Sequence, residues 1–97
     1  LRPTYLICGM LNTKDVAGYL APMAPYVAEL FAVSIPGEAN TLPAETTATA
    51  AKSVGMAATA ADTVNAAVAK ILKSDPASRI LICGSLYLAG QILRENA

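Results

Sequence analysis

Short apolar runs recur along the chain and alternate with stretches of helical periodicity. Four of these runs are strand candidates, and they cover residues 5–8, 31–35, 56–60 and 79–83. Three of them are almost continuously apolar, which is typical of parallel strands that are covered on both faces. The run at 56–60 is the weakest candidate, because alanine is depleted in strands.

The first interval between strands predicts an interrupted helix. Its apolar residues recur at the spacing of one helix face: Val16, Leu20, Met23 and Val27. Pro22 lies inside this pattern, and its ring would clash with the carbonyl of Gly18. We therefore expect a kink or an early stop, with Pro25 opening a further short turn.

The later intervals predict three more helices. Pro43 suits the first turn of the second helix, and Gly55 suits the left-handed position just past its end. Asp62 is placed to cap the third helix, whose apolar stripe consists of Val64, Val68, Ile71 and Leu72. Ser85 is placed to cap the last helix. The order β-α-β-α-β-α-β-α predicts one three-layer α/β domain over residues 1–97, with a mainly parallel sheet and right-handed crossovers.

Composition narrows the range of functions. Seven Lys plus Arg residues balance seven Asp plus Glu residues, and the 97-residue chain contains no His. A neutral chain lacks the basic surface that attracts nucleic acid or an anionic membrane, so we expect neither as a partner. The absence of His excludes His-based acid–base catalysis and the commonest zinc ligand. We therefore expect no metal site, and no complete enzyme in this chain alone.

The two cysteines, Cys8 and Cys83, stand in the same tetrapeptide, Leu-Ile-Cys-Gly, within two strand candidates. The simplest interpretation is that both are small core residues, while a disulfide and a redox or metal-binding role stay open. The apolar runs are too short to cross a bilayer, and no signal peptide is visible. We expect a cytoplasmic chain with reduced thiols, cut from something larger because a strand candidate follows Leu1 almost at once.

Candidate chemistry lies where the first and last strand candidates end. Ligands of open α/β sheets bind beyond the carboxyl ends of the strands, and Gly9 and Gly84 allow a ligand to approach the backbone closely there. Lys14 offers a positive charge and Ser85 a hydroxyl group, next to free N–H groups at the starts of helices. This combination favours an anion, either a carboxylate or a phosphate.

Each of these residues also has an ordinary structural interpretation. Lys14 suits a solvated loop, and Asp15 and Ser85 are common helix caps. Tyr87 suits half-buried packing with its hydroxyl at the rim. The segment 9–14 lacks the second glycine and the final Ser or Thr of a P-loop, which excludes that motif.

Three segments of the chain carry a family resemblance. They read Gly-Met-Leu-Asn-Thr-Lys-Asp-Val at 9–16, Ile-Pro-Gly-Glu-Ala at 35–39 with Leu-Pro-Ala-Glu at 42–45, and Gly-Ser-Leu-Tyr-Leu-Ala-Gly at 84–90. In this order they resemble the C-terminal domain of folylpolyglutamate synthase, often bifunctional with dihydrofolate synthase, in the Mur ligase superfamily. The family's opening strand and helix, with Asp-Gly-Ala-His-Asn-Pro, are absent. Their absence predicts an unpaired strand edge or an uncovered apolar face, either of which favours self-association.

The resemblance implies a Rossmann-like fold and a place in an ATP-dependent ligase. In this family ATP phosphorylates a carboxylate of a folate, and the amino group of L-glutamate then attacks the acyl phosphate. An N-terminal ATPase domain of the same enzyme carries the P-loop and the Mg²⁺ ligands, so ATP and Mg²⁺ belong to the full-length enzyme. By analogy with related Mur ligases, Lys14 and Ser85 hold the glutamate carboxylate. The residues that support this cleft are Gly9, Asp15, Gly84 and Tyr87.

Two other functions stay open at this point. One is a stand-alone α/β module that binds a small anion or a nucleotide. The other is a structural or docking domain in which the strand-end loops only cap helices. Glu38 is either a surface charge or a residue that faces the cleft, and the sequence does not distinguish the two. It indicates no role for Asn12.

Overall fold

The structure is a computed structural model, and it describes residues 3–10, 15–34 and 41–84. Its elements are β1 (Thr4–Gly9), α1 (Val16–Leu20), a 3-10 helix (Ala21–Tyr26), β2 (Glu29–Ala32), α2 (Ala44–Ser53), β3 (Ala58–Ala60), α3 (Val64–Ser74) and β4 (Arg79–Gly84). The predicted alternation of strands and helices is confirmed as far as the fourth strand. The last predicted helix, capped by Ser85, lies outside the described residues.

The four strands form one parallel sheet in the order β3-β2-β1-β4. The chain moves outward from β1 to β3 and then returns past its first strand to form β4. Because the direction reverses, α1 and α2 cover one face of the sheet and α3 covers the other. The predicted three-layer, Rossmann-like α/β architecture is confirmed.

The larger core lies between the sheet and the pair α1 and α2. The sheet contributes alternate residues of β1 and β2 and the residue after β1, and these are Leu6, Cys8, Met10, Leu30 and Ala32. The helices contribute mainly small side chains, which are Val16, Leu20, Ala44, Ala48 and Ala51. Alanine fills little volume, so this layer is thin, as the composition suggests.

The smaller core lies between the opposite face of the sheet and α3. It consists of Ile7, Phe31, Val33, Val64, Ala67 and Ile71. Within the predicted stripe of α3, Val68 is only half-buried and Leu72 is 43% exposed. The buried face is therefore centred on Ala67 rather than on the bulkier Leu72.

Most of the predicted element ends are observed. The first helix stops at Leu20, and a 3-10 helix that contains Pro22 and Pro25 follows it directly. The second helix ends before Gly55, which has a φ of 85°. Its N–H donates to the carbonyl of Lys52 at 3.0 Å, in the left-handed conformation that glycine adopts without a steric cost.

Several predicted boundaries are wrong, and tertiary contacts explain one of them. The third strand begins at Ala58 rather than at Met56, and the second ends at Ala32 rather than at Ile35. The second strand begins at Glu29 rather than at Phe31, because its pairing with β1 already starts at Tyr5. Thr59 of β3 donates to the Glu29 carboxylate at 3.0 Å, so a charged residue can begin the strand. The cap of α3 is Thr63 rather than Asp62, since the Thr63 hydroxyl is the one that accepts from the N–H of Ala66, at 3.0 Å.

The strands β3 and β4 are the two edges of the sheet within the part of the chain that the structure describes, and β4 is the edge beside β1. Two of its large apolar residues, Leu81 and Ile82, are 49% and 41% exposed. Successive side chains of a strand point to opposite faces, so both faces of this edge are partly open. Self-association through this edge stays a prediction. Among the described helices, none has the length and apolar character needed to cross a membrane.

Two leucines that pair with the same residue of β1 but differ in burial give a matched test of the core. Leu6 pairs with Leu30 on one side and with Leu81 on the other, and Leu30 is fully buried. We expect Leu30→Ala to lower the free energy of unfolding by about 2–5 kcal/mol, because a cavity remains in the core. Leu81→Ala should cost about 1 kcal/mol, since half of that side chain is already in water. Urea denaturation at equilibrium measures both, and equal losses would contradict the assigned burial.

Candidate functional site

The carboxyl ends of β1 and β4 lie side by side, with Gly9 paired to Gly84. The strand order reverses at β1, because the connections to its two neighbours pass over opposite faces of the sheet. In open α/β sheets this reversal leaves a crevice beyond the strand ends, where ligands bind. The two glycines that end the repeated tetrapeptides therefore border the candidate site.

Only part of the predicted site lies within the described residues. Gly9, Asp15 and Gly84 are described. Gly9 and Gly84 pair at the ends of β1 and β4, and Asp15 is the N-cap of the helix that follows β1. The predicted ligands Lys14 and Ser85 lie outside the described residues. The same is true of Tyr87, Asn12 and Glu38, so the roles considered for them stay predictions.

Asp15 is the N-cap of α1. Its carboxylate Oδ1 accepts from the N–H of Gly18 at 3.1 Å, and its carbonyl accepts from the N–H of Tyr19 at 3.0 Å. A Cβ on Gly18 would collide with this carboxylate, approaching its Cγ to 2.9 Å. The glycine therefore leaves the space that the cap occupies, and Asp15 has the capping role that the sequence analysis kept open.

Ser34 ties the start of α2 to the end of β2, a role that the sequence did not indicate. Its hydroxyl accepts from the N–H of Ala44 at 3.2 Å and donates to the carbonyl of Leu42 at 3.4 Å. The N–H of Leu42 donates to the carbonyl of Met10, just after β1, at 2.9 Å. The formal N-cap, Pro43, makes no side-chain hydrogen bond. The capping group is ten residues away in sequence, so no local pattern could have revealed it.

A pair of thiols lies directly behind the two glycines. Cys8 of β1 pairs with Cys83 of β4, and both are free cysteines. Cys8 is buried and Cys83 is half-buried, against the core that α1 and α2 cover. Tyr19, a residue of α1 that is 46% exposed, lies beside Cys83, and its hydroxyl lowers the pKa of that thiol. The predicted core role fits Cys8 fully and Cys83 only in part.

The two thiols differ in acidity. The hydrogen bond from the Cys8 thiol lowers the pKa of Cys83; burial opposes this effect, and the hydrogen bond from Tyr19 adds to it. The pKa of Cys8 is raised by its hydrogen bond to Cys83, by burial and by the charge on Cys83. The same charge raises the pKa of Tyr19. Cys83 is therefore the member of the pair that ionises first.

The described residues contain no group of three or more His, Cys, Asp or Glu side chains that could hold a metal ion. What this edge of the sheet offers a ligand is backbone at Gly9 and Gly84 and the polar groups that follow them in sequence.

The cap gives a double-mutant test. Asp15→Ala should lower the free energy of unfolding by about 1 kcal/mol, because the N–H of Gly18 loses its acceptor. Gly18→Ala should also destabilise the chain, since the new methyl group displaces the carboxylate. In the Asp15→Ala background the second change should instead stabilise by about 0.5–1 kcal/mol, because alanine is the better helix former. Thermal or urea unfolding measures the cycle, and additive losses would contradict the steric argument.

No family sequence model and no curated protein sequence matches this chain. Solved structures do. Mycobacterium tuberculosis folylpolyglutamate synthase complexed with ADP superposes with a TM-score of 0.79 at 21% identity, over 98% of this chain and 24% of its own. The Yersinia pestis bifunctional folylpolyglutamate synthase/dihydrofolate synthase, complexed with AMPPNP and Mn ion, gives 0.78 at 22% identity, over 97% and 22%. E. coli FolC in complex with DHPP and ADP gives 0.75 at 21%, over 99% and 22%.

These matches concern the fold. The chain is covered almost completely by each of the three, but it spans less than a quarter of their length. Identities of 21–22% are too low to transfer residue roles. The chain has the fold of one part of folylpolyglutamate synthase, the family that its three sequence segments resemble.

Proposed function

We propose that this chain is one domain of an ATP-dependent ligase that adds L-glutamate to a folate carboxylate. The observation that carries the proposal is the superposition of nearly the whole chain on three enzymes, each named for this chemistry or solved with ADP bound. The three family-like sequence segments support it independently. Because the chain corresponds to about a quarter of those enzymes, an N-terminal ATPase domain that uses ATP and Mg²⁺ is its proposed partner in the same enzyme. Dihydrofolate synthase activity is part of the same proposal.

The proposed task of this chain is to hold the incoming glutamate. Lys14 supplies a cation and Ser85 a hydroxyl donor for the glutamate carboxylate. Both are adjacent in sequence to described positions: Lys14 is bonded to the capped Asp15, and Ser85 follows Gly84. Since Gly84 lies beside Gly9 at the reversal of strand order, the two donor segments leave the sheet from neighbouring points. This supports a shared pocket for the anion.

The proposed contribution to catalysis is positioning. An acyl phosphate is already reactive toward an amine, so the enzyme gains rate chiefly by orienting the glutamate amino group and by stabilising charge. That work needs a cation, hydroxyl groups and helix N–H groups, and it needs no His in this chain. We assign no catalytic residue to the chain; the reacting groups belong to ATP, to the folate and to glutamate.

Lys14 can be tested in the full-length ligase. We expect Lys14→Ala to raise the KM for glutamate about tenfold or more, because a hydrogen bond to a charged group is worth about 1.5–3 kcal/mol. Stability should change little. The matched control is Lys52→Ala, which removes an exposed lysine from the last turn of α2, at the opposite end of that helix from the site. Steady-state kinetics with varied glutamate measure both, and an unchanged KM in Lys14→Ala would favour a solvated lysine.

The division of labour between domains can be tested on the chain itself. With ATP, Mg²⁺, a folate and L-glutamate present, we expect the 97-residue chain to release no ADP above buffer, while the full-length enzyme does so in the same coupled assay. The physical reason is that the nucleotide-binding P-loop is assigned to the other domain. ADP release by the chain alone would contradict this assignment. Calorimetric binding of ATP by the chain alone would favour a stand-alone nucleotide module.

A further inference from the structure

The paired thiols behind the strand ends have no role in the proposed ligase. We propose that Cys8 and Cys83 form an oxidation site, in which a two-electron oxidant of the hydroperoxide class converts the pair to a disulfide between β1 and β4. This inference goes beyond the proposed function and does not depend on it.

The register of the sheet carries the inference. Cys8 and Cys83 are direct partners on adjacent parallel strands, and both contact the core on the α1 and α2 face. Neighbouring strands lie about 4.7–4.9 Å apart, which is within the ~4.4–6.8 Å that disulfides span between Cα atoms. The 97 residues contain two cysteines, so neither has another cysteine partner among them.

The surroundings give the two thiols different tasks. Cys83 is partly accessible, and it lies beside Cys8 in the sheet and beside Tyr19 of α1, whose hydroxyl lowers its pKa. Thiolate is the form that attacks an oxidant, and the lowered pKa of Cys83 favours it. Cys8 is fully buried and stays protonated beside it. Cys83 is thus the attacking thiol and Cys8 the resolving one.

The chemistry balances with hydrogen peroxide as the oxidant. The Cys83 thiolate attacks one peroxide oxygen and the O–O bond breaks; sulfenic acid forms on Cys83, and the other oxygen leaves as water after taking up a proton. The sulfur of Cys8 then attacks the Cys83 sulfur. The S–O bond breaks as the S–S bond forms, and the proton from Cys8 leaves with the hydroxyl group as a second water. The pair loses two electrons, which reduce the peroxide.

The bond should be readily reversible. Parallel side chains on adjacent strands hold their Cβ atoms about as far apart as the strands, ~4.7–4.9 Å, whereas a relaxed disulfide brings them to ~3.5–4.5 Å. Closing the bond therefore pulls the two strands together. Strained disulfides have more oxidising potentials and are easily reduced. The pair should be reduced under cytosolic conditions and oxidised only when peroxide rises.

Intact-mass analysis of the chain under non-reducing conditions tests the proposal. After hydrogen peroxide, we expect a monomer lighter by two hydrogen atoms, with no thiol left for iodoacetamide even after unfolding, and full recovery with dithiothreitol. Retention of an alkylatable Cys8 after unfolding, with oxygen added to Cys83, would overturn the proposal. Disulfide-linked dimers as the main product would overturn it as well.

Single variants separate the two thiols. In Cys8→Ala, peroxide should add oxygen to Cys83 or link two chains through it, because the resolving thiol is gone. In Cys83→Ser, the buried Cys8 should stay unmodified while the chain is folded. Far-UV circular dichroism confirms that each variant folds. Peroxide modification of Cys8 in folded Cys83→Ser, at the rate seen for Cys83, would overturn the assigned order of attack.

The pH dependence of Cys83 alkylation tests the role of Tyr19, because a purely structural role of this residue would not change it. Removing its hydroxyl in Tyr19→Phe takes away a donor to the thiolate, so the pKa of Cys83 should rise and its alkylation midpoint should move to higher pH. Tyr26→Phe is the matched control, because Tyr26 is 78% exposed on the neighbouring 3-10 helix. Identical pH profiles for the Tyr19 variant and the unaltered chain would overturn the part given to Tyr19.

Discussion

The pairing of β1 with a parallel strand on each side is the constraint on which the rest of this molecule depends. Both cores need it, because Leu6 and Cys8 face one helix layer while Ile7 faces the other. The pairing with β4 also brings the glycines that end the two strands, Gly9 and Gly84, side by side. A fold that placed β4 beyond β3 would keep every local element and would lose the candidate site.

The candidate site depends on two kinds of anchor. Strand ends determine where a loop leaves the sheet, and helix caps determine where it returns. Asp15 caps the start of α1 through a hydrogen bond within the same helix turn, and this cap needs only the space that Gly18 leaves. The start of α2 is held by Ser34, which lies two residues after the end of β2. Segments anchored at both ends lose less conformational entropy when a ligand binds, which is useful in a domain proposed to orient a substrate.

The pairing of the strands brings the two copies of the repeated tetrapeptide together. Leu-Ile-Cys-Gly occurs once in β1 and once in β4, and the register places the two copies residue against residue. Identical side chains then meet across the strands. For leucine and isoleucine the copies in β1 are buried and those in β4 are exposed. For glycine the result is two strand ends side by side, and for cysteine it is a pair of adjacent thiols. The same register therefore underlies both the proposed substrate site and the proposed oxidation site.

The sequence by itself determined the strand–helix alternation, the parallel sheet, the early stop of α1 before its prolines and the left-handed Gly55, because each follows from local sterics or from hydrophobic periodicity. Its family resemblance also anticipated the fold that the solved structures share. Only the tertiary structure decided the register of Cys8 with Cys83, the cap that Ser34 provides to α2 and the start of β2 at Glu29. Each of these joins residues that are far apart in the chain, and one-dimensional patterns carry no record of which distant groups will meet.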